Sequence, residues 1–309
     1  MSLEIIKGID NYPAEEAGVV ATIGTFDGIH RGHQSILRQL TLSALRRRLK
    51  ALAITFEPHP RVLVTPDSPP PLLTNITEKA RILSDYLDGT LLVLEFNKQL
   101  MSLTAEEFTK KYLVDKIKIN KLVVGYDHAF GKDRSGTIND LMGLSRKYSF
   151  DLQIVDPVIV DGRPISSTRV RRVLTETNIN QALELLGHGY PISGKVIKGI
   201  GLGAKIGFKT ANIELNPRKM LPENGVYSCS AEYKNRVYSG MMFIGKNHFN
   251  PDVSKSVEVN IFDFEEDIYD EELFCYPEVF IREGRKFDNK DELAKQLRED
   301  KKRVLMLKE

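Results

Sequence analysis

Over the first 186 residues, short apolar runs alternate with stretches of helical periodicity. Val19-Val20-Ala21-Thr22-Ile23 reads as a strand, and residues 32–49 as the helix that follows it. Further strands are predicted at residues 51–56, 91–96, 121–125 and 152–155, with helices at 78–86, 105–116, 139–148 and 179–186. A loop carrying Pro69-Pro70-Pro71 interrupts the series. Strands that alternate with helices predict a parallel sheet covered on both faces. In such a sheet ligands bind beyond the carboxyl ends of the strands, and chemistry is sought there.

At Gly187-His188-Gly189-Tyr190-Pro191 the pattern changes. Beyond it lie β-rich runs at residues 225–230, 237–244, 257–264 and 278–282, with turn residues between them. Lys234-Asn235-Arg236 reads as a hairpin tip. This grammar predicts a small antiparallel barrel or sandwich. Residues 288–307 close the chain with Leu293, Leu297, Val304 and Leu305 at roughly helical spacing. Two domains are therefore expected, at residues 1–186 and 187–309.

Composition adds little to this picture. With 41% hydrophobic and 28% charged residues the chain is an ordinary globular protein. A net charge of +2 gives no strong field for nucleic acid or membrane, and neither partner is expected. The basic run Arg46-Arg47-Arg48 with Lys50 reads as a solvated face at a helix C-terminus. Two cysteines, Cys229 and Cys275, lack metal-ligand spacing and fit a reducing compartment. Nothing reads as a spanning helix or a signal peptide, so a cytoplasmic protein is expected. Met1-Ser2-Leu3 carries no weight in this reading.

The densest chemical signal is Gly24-Thr25-Phe26-Asp27-Gly28-Ile29-His30-Arg31-Gly32-His33, between the first strand and the first helix. Gly24 and Gly28 permit backbone shapes that other residues resist, and Gly32 lets the turn lie against a phosphate chain. The helix that follows points free N–H groups and its positive end at such an anion. His30 and His33 can donate hydrogen bonds to oxygens that gain charge during phosphoryl transfer. A zinc site is disfavoured, because the pair has no third ligand at credible spacing.

Gly24 to His33 resembles the His-x-Gly-His signature of the nucleotidylyltransferase superfamily. With Phe26-Asp27-Gly28 ahead of it, the segment resembles the bacterial bifunctional riboflavin kinase/FMN adenylyltransferases. Three further segments follow in that family's order: Thr55-Phe56-Glu57-Pro58-His59-Pro60, Gly125-Tyr126-Asp127-His128-Ala129-Phe130-Gly131 and Ile165-Ser166-Ser167-Thr168-Arg169-Val170-Arg171. The resemblance implies a Rossmann-like nucleotidylyltransferase domain with a parallel sheet, then a β-barrel kinase domain with a terminal helix.

The same resemblance implies roles. Gly24, Phe26, Asp27 and Gly28 line the nucleotide site, and Asp127 holds adenine or ribose. His128 stands where the family usually has Phe. Ser167 and Thr168 offer donors at a predicted helix N-terminus, with a bare N-cap as the lesser alternative. Arg171, on the same face, clamps the triphosphate with its fork of donors. Residues 55–60 form a loop flanking the flavin, or a purely structural one. The implied reaction is attack by the FMN phosphate on the α-phosphorus of ATP, giving FAD and pyrophosphate. Mg²⁺ would be bound mainly through phosphates.

In the second half, Gly194-Lys195-Val196, the stretch from Gly199 to Gly207 and Phe208-Lys209-Thr210-Ala211-Asn212 resemble the riboflavin kinase module. The match continues through Gly225-Val226-Tyr227 and Glu258-Val259-Asn260-Ile261-Phe262-Asp263-Phe264. A Walker A reading of Gly207-Phe208-Lys209-Thr210 fails, because Phe separates Gly from Lys. Gly199, Gly201 and Gly203 miss a dinucleotide fingerprint, since no βαβ unit surrounds them. The resemblance implies that Gly199 and Gly203 border ATP, that Thr210 and Asn212 ligate Mg²⁺, and that Glu258 is the base for the riboflavin 5′-hydroxyl.

Several positions depart from the family pattern. Lys209 replaces Pro, Phe243 replaces Asn, Asn247-His248 replace Pro-Thr, Asn260 stands for His, Asp270 for Gly and Gly284 for Glu. The expected function is therefore the conversion of riboflavin to FMN and then FAD with ATP. The alternative is an FMN adenylyltransferase whose second domain binds flavin or is structural.

Overall fold

The computed structural model describes residues 3–13, 15–132, 135–176, 179–199, 203, 206–245 and 255–307. Gly201, Asn247 and His248, named above, lie outside the described residues. The chain forms two compact units. One comprises Met1–Pro71 and Lys79–Ser166, the other Leu72–Glu78 and Ser167–Glu309.

The first unit opens with β1 (Leu3–Lys7), β2 (Val19–Ile23), α1 (Arg31–Arg47), β3 (Lys50–Glu57) and a short α2 (Arg61–Val64). Then come α3 (Ile76–Leu83), counted in this unit from Lys79 on, β4 (Gly89–Glu95), α4 (Lys98–Ser102) and α5 (Ala105–Phe108). A π-helix (Thr109–Lys116) leads to β5 (Ile119–Gly125), α6 (Ile138–Tyr148), β6 (Asp151–Val155) and a two-rung hairpin, β7 (Ile159–Val160) and β8 (Arg163–Pro164). The predicted helix over 105–116 thus changes its winding after one turn.

Six strands form a parallel sheet in the order β1-β4-β3-β2-β5-β6. All five residues of β2 are buried, as are the five at the centre of β4, so these runs could not alternate with polar residues. From β2 the chain builds outward through β3 to β4, then returns to the opposite side of β2 for β5. The order of strand addition therefore reverses between β2 and β5, and the turns that leave their carboxyl ends flank the natural ligand crevice. The sequence pattern does not announce β1. It is a half-exposed edge strand with polar residues among its apolar ones, beside β4.

Helix α1 ends at Arg48 in the left-handed conformation, with Arg46 and Arg47 in its last turn. Both charges suit the negative end of the helix, and Arg47 also bonds Asp151 and Asn120. Lys50 pairs with Glu15 at 2.7 Å.

The second unit contains α7 (Ser167–Thr175), α8 (Ile179–Leu186) and a closed six-stranded barrel. Its strands are β9 (Ile192–Ile197), β10 (Ala211–Ile213), β11 (Gly225–Tyr233), β12 (Arg236–Gly245), β13 (Ser256–Ile261) and β14 (Glu272–Arg282). They close antiparallel in the order β10-β13-β12-β11-β14-β9. Lys234 and Asn235 take φ of 45° and 63°, the two left-handed positions that a tight β11–β12 hairpin needs. Alternate residues face opposite ways along each strand. Met242, Ile244, Val259, Cys229 and Cys275 are all fully buried. Val226, Met241 and Ile281 instead join Val304 of the terminal helix α9 (Lys290–Met306) in a separate cluster. Asp300 of α9 takes a forked bond from Arg282, with Nε and Nη2 donating at 2.9 and 2.7 Å.

Leu72–Glu78 lies far from the barrel in sequence but belongs to this unit. Leu72 donates to the Arg218 carbonyl and accepts from the Met220 N–H, both at 2.7 Å. Lys219 Nζ donates to Glu78 Oε2 and to the carbonyls of Leu73 and Pro191, at 2.6–2.7 Å. Glu78 Oε1 accepts from Ser193 N–H at 2.9 Å. Both charged side chains are almost wholly buried, and every bond that the pair makes replaces water it has lost.

Candidate active sites

In the first unit the turn from Gly24 to His33 leaves β2 at the reversal point of the sheet. Its left-handed geometry falls on Phe26, Gly28 and Ile29, with φ of 46°, 81° and 39°. Only one of these is glycine. A β-branched residue in this region is strained, at a cost of about 1–3 kcal/mol. Gly24 serves a different purpose from the one its type suggests, because a Cβ there would press on the Phe26 ring at 3.3 Å. Gly32 likewise makes room for His30, whose Nδ1 would lie 3.1 Å from a Cβ.

The two histidines are brought together. His30 precedes α1, and its ring stacks on that of His33 with centroids 3.8 Å apart. Phe26 meets His33 edge-on at 5.4 Å. His33 Nδ1 is buried without a hydrogen-bond partner among the described residues. Burial, followed by the neighbouring His30 and Lys79, holds the His33 imidazole well below its usual range. His33 is therefore neutral at pH 7, with one ring nitrogen able to donate and the other able to accept. Asp27 is 1% exposed, within the same turn.

Beneath the turn lie two residues that the sequence does not mark for it. Thr55, fully buried in β3, donates to the Thr25 carbonyl at 3.2 Å. Lys79 of α3 donates to the same carbonyl at 2.6 Å and to Thr55 Oγ1 at 3.1 Å. Residues 55–57 are thus the end of a strand rather than the loop expected at 55–60. Nothing in the sequence flags Lys79, because a lysine on a helix ordinarily reads as solvent-facing.

On the other side of the reversal point, Gly125 ends β5 and Asp127 follows, exposed. A Cβ on Gly125 would lie 3.5 Å from Asp127 Oδ1. His128 stacks with Phe130 at 5.6 Å. Ser167 and Thr168 form the first turn of α7, and Arg171 lies one turn on. Those three residues belong to the second unit.

The second unit assembles its own constellation. Asn212 on β10 stands directly opposite Glu258 on β13, and across the other side of β13 Glu258 faces Phe243. The Thr210 side chain hydrogen-bonds Glu258. Burial raises the Glu258 carboxyl above the usual range, and the Thr210 bond opposes that shift. Two glycines fit closely over these groups. A Cβ on Gly199 would lie 2.2 Å from Asn212 Nδ2, and one on Gly203 would lie 2.2 Å from the Phe208 carbonyl and 3.5 Å from Thr210 Oγ1. A cavity of about 250 Å³ adjoins them, lined among others by Gly199, Thr210, Asn212 and Tyr269.

Departures from the family pattern have local correlates in the structure. Asn260 donates to the Lys209 carbonyl at 2.6 Å and so anchors the segment that carries Thr210. The Phe243 ring would lie 3.2 Å from a Cβ on Gly284, so a side chain at position 284 would meet that ring. Asp270 has φ of 62°, the conformation that glycine adopts most easily.

The chain matches the family model for FAD synthetase over residues 12–169 and that for riboflavin kinase over residues 186–307. A bifunctional riboflavin kinase/FMN adenylyltransferase from Buchnera aphidicola subsp. Acyrthosiphon pisum is 36% identical over 303 residues, covering 96% of each chain. The Escherichia coli K12 protein of the same description is 34% identical, again over 96% of each. A crystal structure of a protein from Streptococcus pneumoniae superposes with a TM-score of 0.83 at 34% identity over 97% of both chains. That protein is described as a macrolide-efflux protein. Among the described residues here, no helix is long and apolar enough to cross a membrane. Family models over both halves and relatives over nearly the full length agree: the chain belongs to the bifunctional riboflavin kinase/FMN adenylyltransferase family.

Proposed function

We propose that the protein makes FAD from riboflavin in two ATP-dependent steps, with residues 187–309 carrying the kinase step and residues 1–186 the adenylyl transfer. The observation that carries this reading is the alignment of Thr210, Asn212 and Glu258 around neighbouring strands β10 and β13. A kinase module that had become merely structural has no use for a buried carboxylate fitted in this way, nor for two glycines packed against its neighbours.

In the kinase step Glu258 accepts the proton of the riboflavin 5′-hydroxyl as its oxygen attacks the γ-phosphorus of ATP, and ADP leaves. A carboxyl raised by burial is a stronger base than an exposed one. Gly199 and Gly203 let the backbone approach the nucleotide. Thr210 and Asn212 offer neutral oxygens of the kind that Mg²⁺ prefers, and would hold the ion together with nucleotide phosphates. When bound, Mg²⁺ neutralises charge on the phosphates.

In the adenylyl step a phosphate oxygen of FMN attacks the α-phosphorus of ATP. The bond from that phosphorus to the bridging oxygen breaks, and pyrophosphate leaves. His30 and the neutral His33 donate to oxygens that gain charge, helped by the free N–H groups opening α1. Phe26, Gly24, Asp27 and Gly28 shape the turn against the nucleotide, and Asp127 holds its adenosine part. Ser167, Thr168 and Arg171 bind the triphosphate. Two buried free cysteines suit a reducing compartment, and we place the protein in the cytoplasm.

Pure protein given riboflavin and Mg-ATP, or FMN and Mg-ATP, with flavins resolved by chromatography, tests the reading. FAD from both is expected. FAD from FMN alone would leave a silent kinase module, and FAD from neither would refute the function.

A further inference from the structure

The Gly24–His33 turn holds left-handed backbone at Phe26 and Ile29, yet it must present His30 and His33 in one fixed arrangement. Such a conformation persists only where its surroundings over-determine it. The carbonyl of Thr25, at the head of the strained stretch, receives two side-chain donors from outside the turn. They are the Lys79 ammonium at 2.6 Å and the Thr55 hydroxyl at 3.2 Å. The ammonium also donates to Thr55 Oγ1 at 3.1 Å, closing a triangle in which both side chains are buried.

Lysine is an expensive choice for this duty. It is 4% exposed, and burial lowers its proton affinity, with Asp27 and Glu57 acting in the opposite sense. An amide or a hydroxyl could hold a carbonyl at less cost in desolvation. What they could not supply is a positive charge. His33 does not provide it, because burial holds its imidazole neutral. A buried cation under the turn interacts electrostatically with the carboxylates Asp27 and Glu57 and with His33. It acts there in a low dielectric, where charge on an arriving phosphate group counts most.

We propose that Lys79 is a positioning residue of the adenylyl-transfer site, which fixes the Gly24–His33 turn through the Thr25 carbonyl and places a buried positive charge beneath it. This rests on the proposed adenylyl transfer at that turn, and its test is arranged to fail separately. Lys79→Met keeps volume and removes the charge, and Lys79→Arg keeps the charge. Full-length protein is assayed for FAD from FMN and Mg-ATP, with riboflavin phosphorylation measured in the same preparation.

For Lys79→Met, turnover in FAD formation at saturating substrates should fall at least 30-fold. The melting temperature should equal or exceed that of the wild type, and kinase turnover should be unchanged. Lys79→Arg should recover at least tenfold over Lys79→Met. A filler of space would give the opposite split, with a lowered melting temperature and wild-type turnover, and that result overturns the proposal. Should Lys79→Met not fold, Thr55→Val decides, since it removes one donor to the same carbonyl at nearly constant volume. A fivefold or larger loss in turnover with KM for FMN unmoved supports the triangle, and wild-type kinetics overturns it. If the wild type itself makes no FAD from FMN, the functional reading has failed rather than the assignment of Lys79.

Discussion

Asn212 and Glu258 stand directly opposite each other on β10 and β13, so one pair of neighbouring strands sets an amide beside a carboxylate. If the carboxylate is the base of the kinase step, Glu258→Gln should lower riboflavin phosphorylation by about 10²–10⁴-fold and leave FAD formation from FMN intact. Steady-state rates with each substrate check both halves. The pH profile carries a sign. Only the ionised carboxylate works as a base, and burial raises its pKa. Kinase activity in the wild type should therefore fail on the acid side at a pH higher than an ordinary glutamate would give.

The two close glycines give a sharper test of the same site. Gly199→Ala would push a methyl against the Asn212 amide, a side-chain end that can swing aside. Gly203→Ala would push one against a backbone carbonyl, which cannot. Titration of kinase activity with Mg²⁺ should show a raised metal requirement for Gly199→Ala, at least threefold. Gly203→Ala should slow kinase turnover tenfold or more, with FAD formation from FMN unchanged in both.

His33 makes a prediction about stability. Its imidazole is held well below the usual range when folded but titrates near 6.5 in an unfolded chain. The unfolded state thus binds the extra proton first, and stability is full above about pH 6.5 and falls as the pH drops below it. His33→Gln should flatten urea-derived stability against pH below about 6.5. Adenylyl transfer by the wild type should show no inflection from His33 between about pH 6.5 and 8.

The buried pair of Lys219 and Glu78 predicts an asymmetric response. Lys219→Met leaves a buried carboxylate without its cation, which costs about 3–5 kcal/mol. The double substitution with Glu78→Met should recover part of that loss, because neither charge then remains uncompensated. Urea denaturation of the full-length chain measures both, and equal stabilities for single and double variants would contradict the assignment.

Much of this is legible in the residues. The largely apolar runs of β2 and β4 have to be buried on both faces, and a Gly-rich turn between strand and helix can be placed from the residues alone. The hairpin tip at Lys234-Asn235 is legible for the same local reason. What escapes are features whose partners lie far away in sequence. Residues 72–78 give no sign that they cluster with the barrel unit, because the bonds that hold them come from Pro191, Ser193 and Arg218–Met220. Lys79 is invisible because its environment is set by tertiary placement, which a helical pattern does not encode. The left-handed strain at Phe26 and Ile29 is hidden too, since residue type is the only local clue to positive φ and it points to the glycines.

The central claim is that two chemistries reside in two separate sites, with adenylyl transfer at the Gly24–His33 turn. The measurement that tests it most directly gives riboflavin and Mg-ATP to the full-length His30→Ala/His33→Ala variant and resolves the flavins formed. FMN should accumulate at the wild-type rate with FAD reduced by about 10²-fold or more. FAD appearing at the wild-type rate would contradict the account.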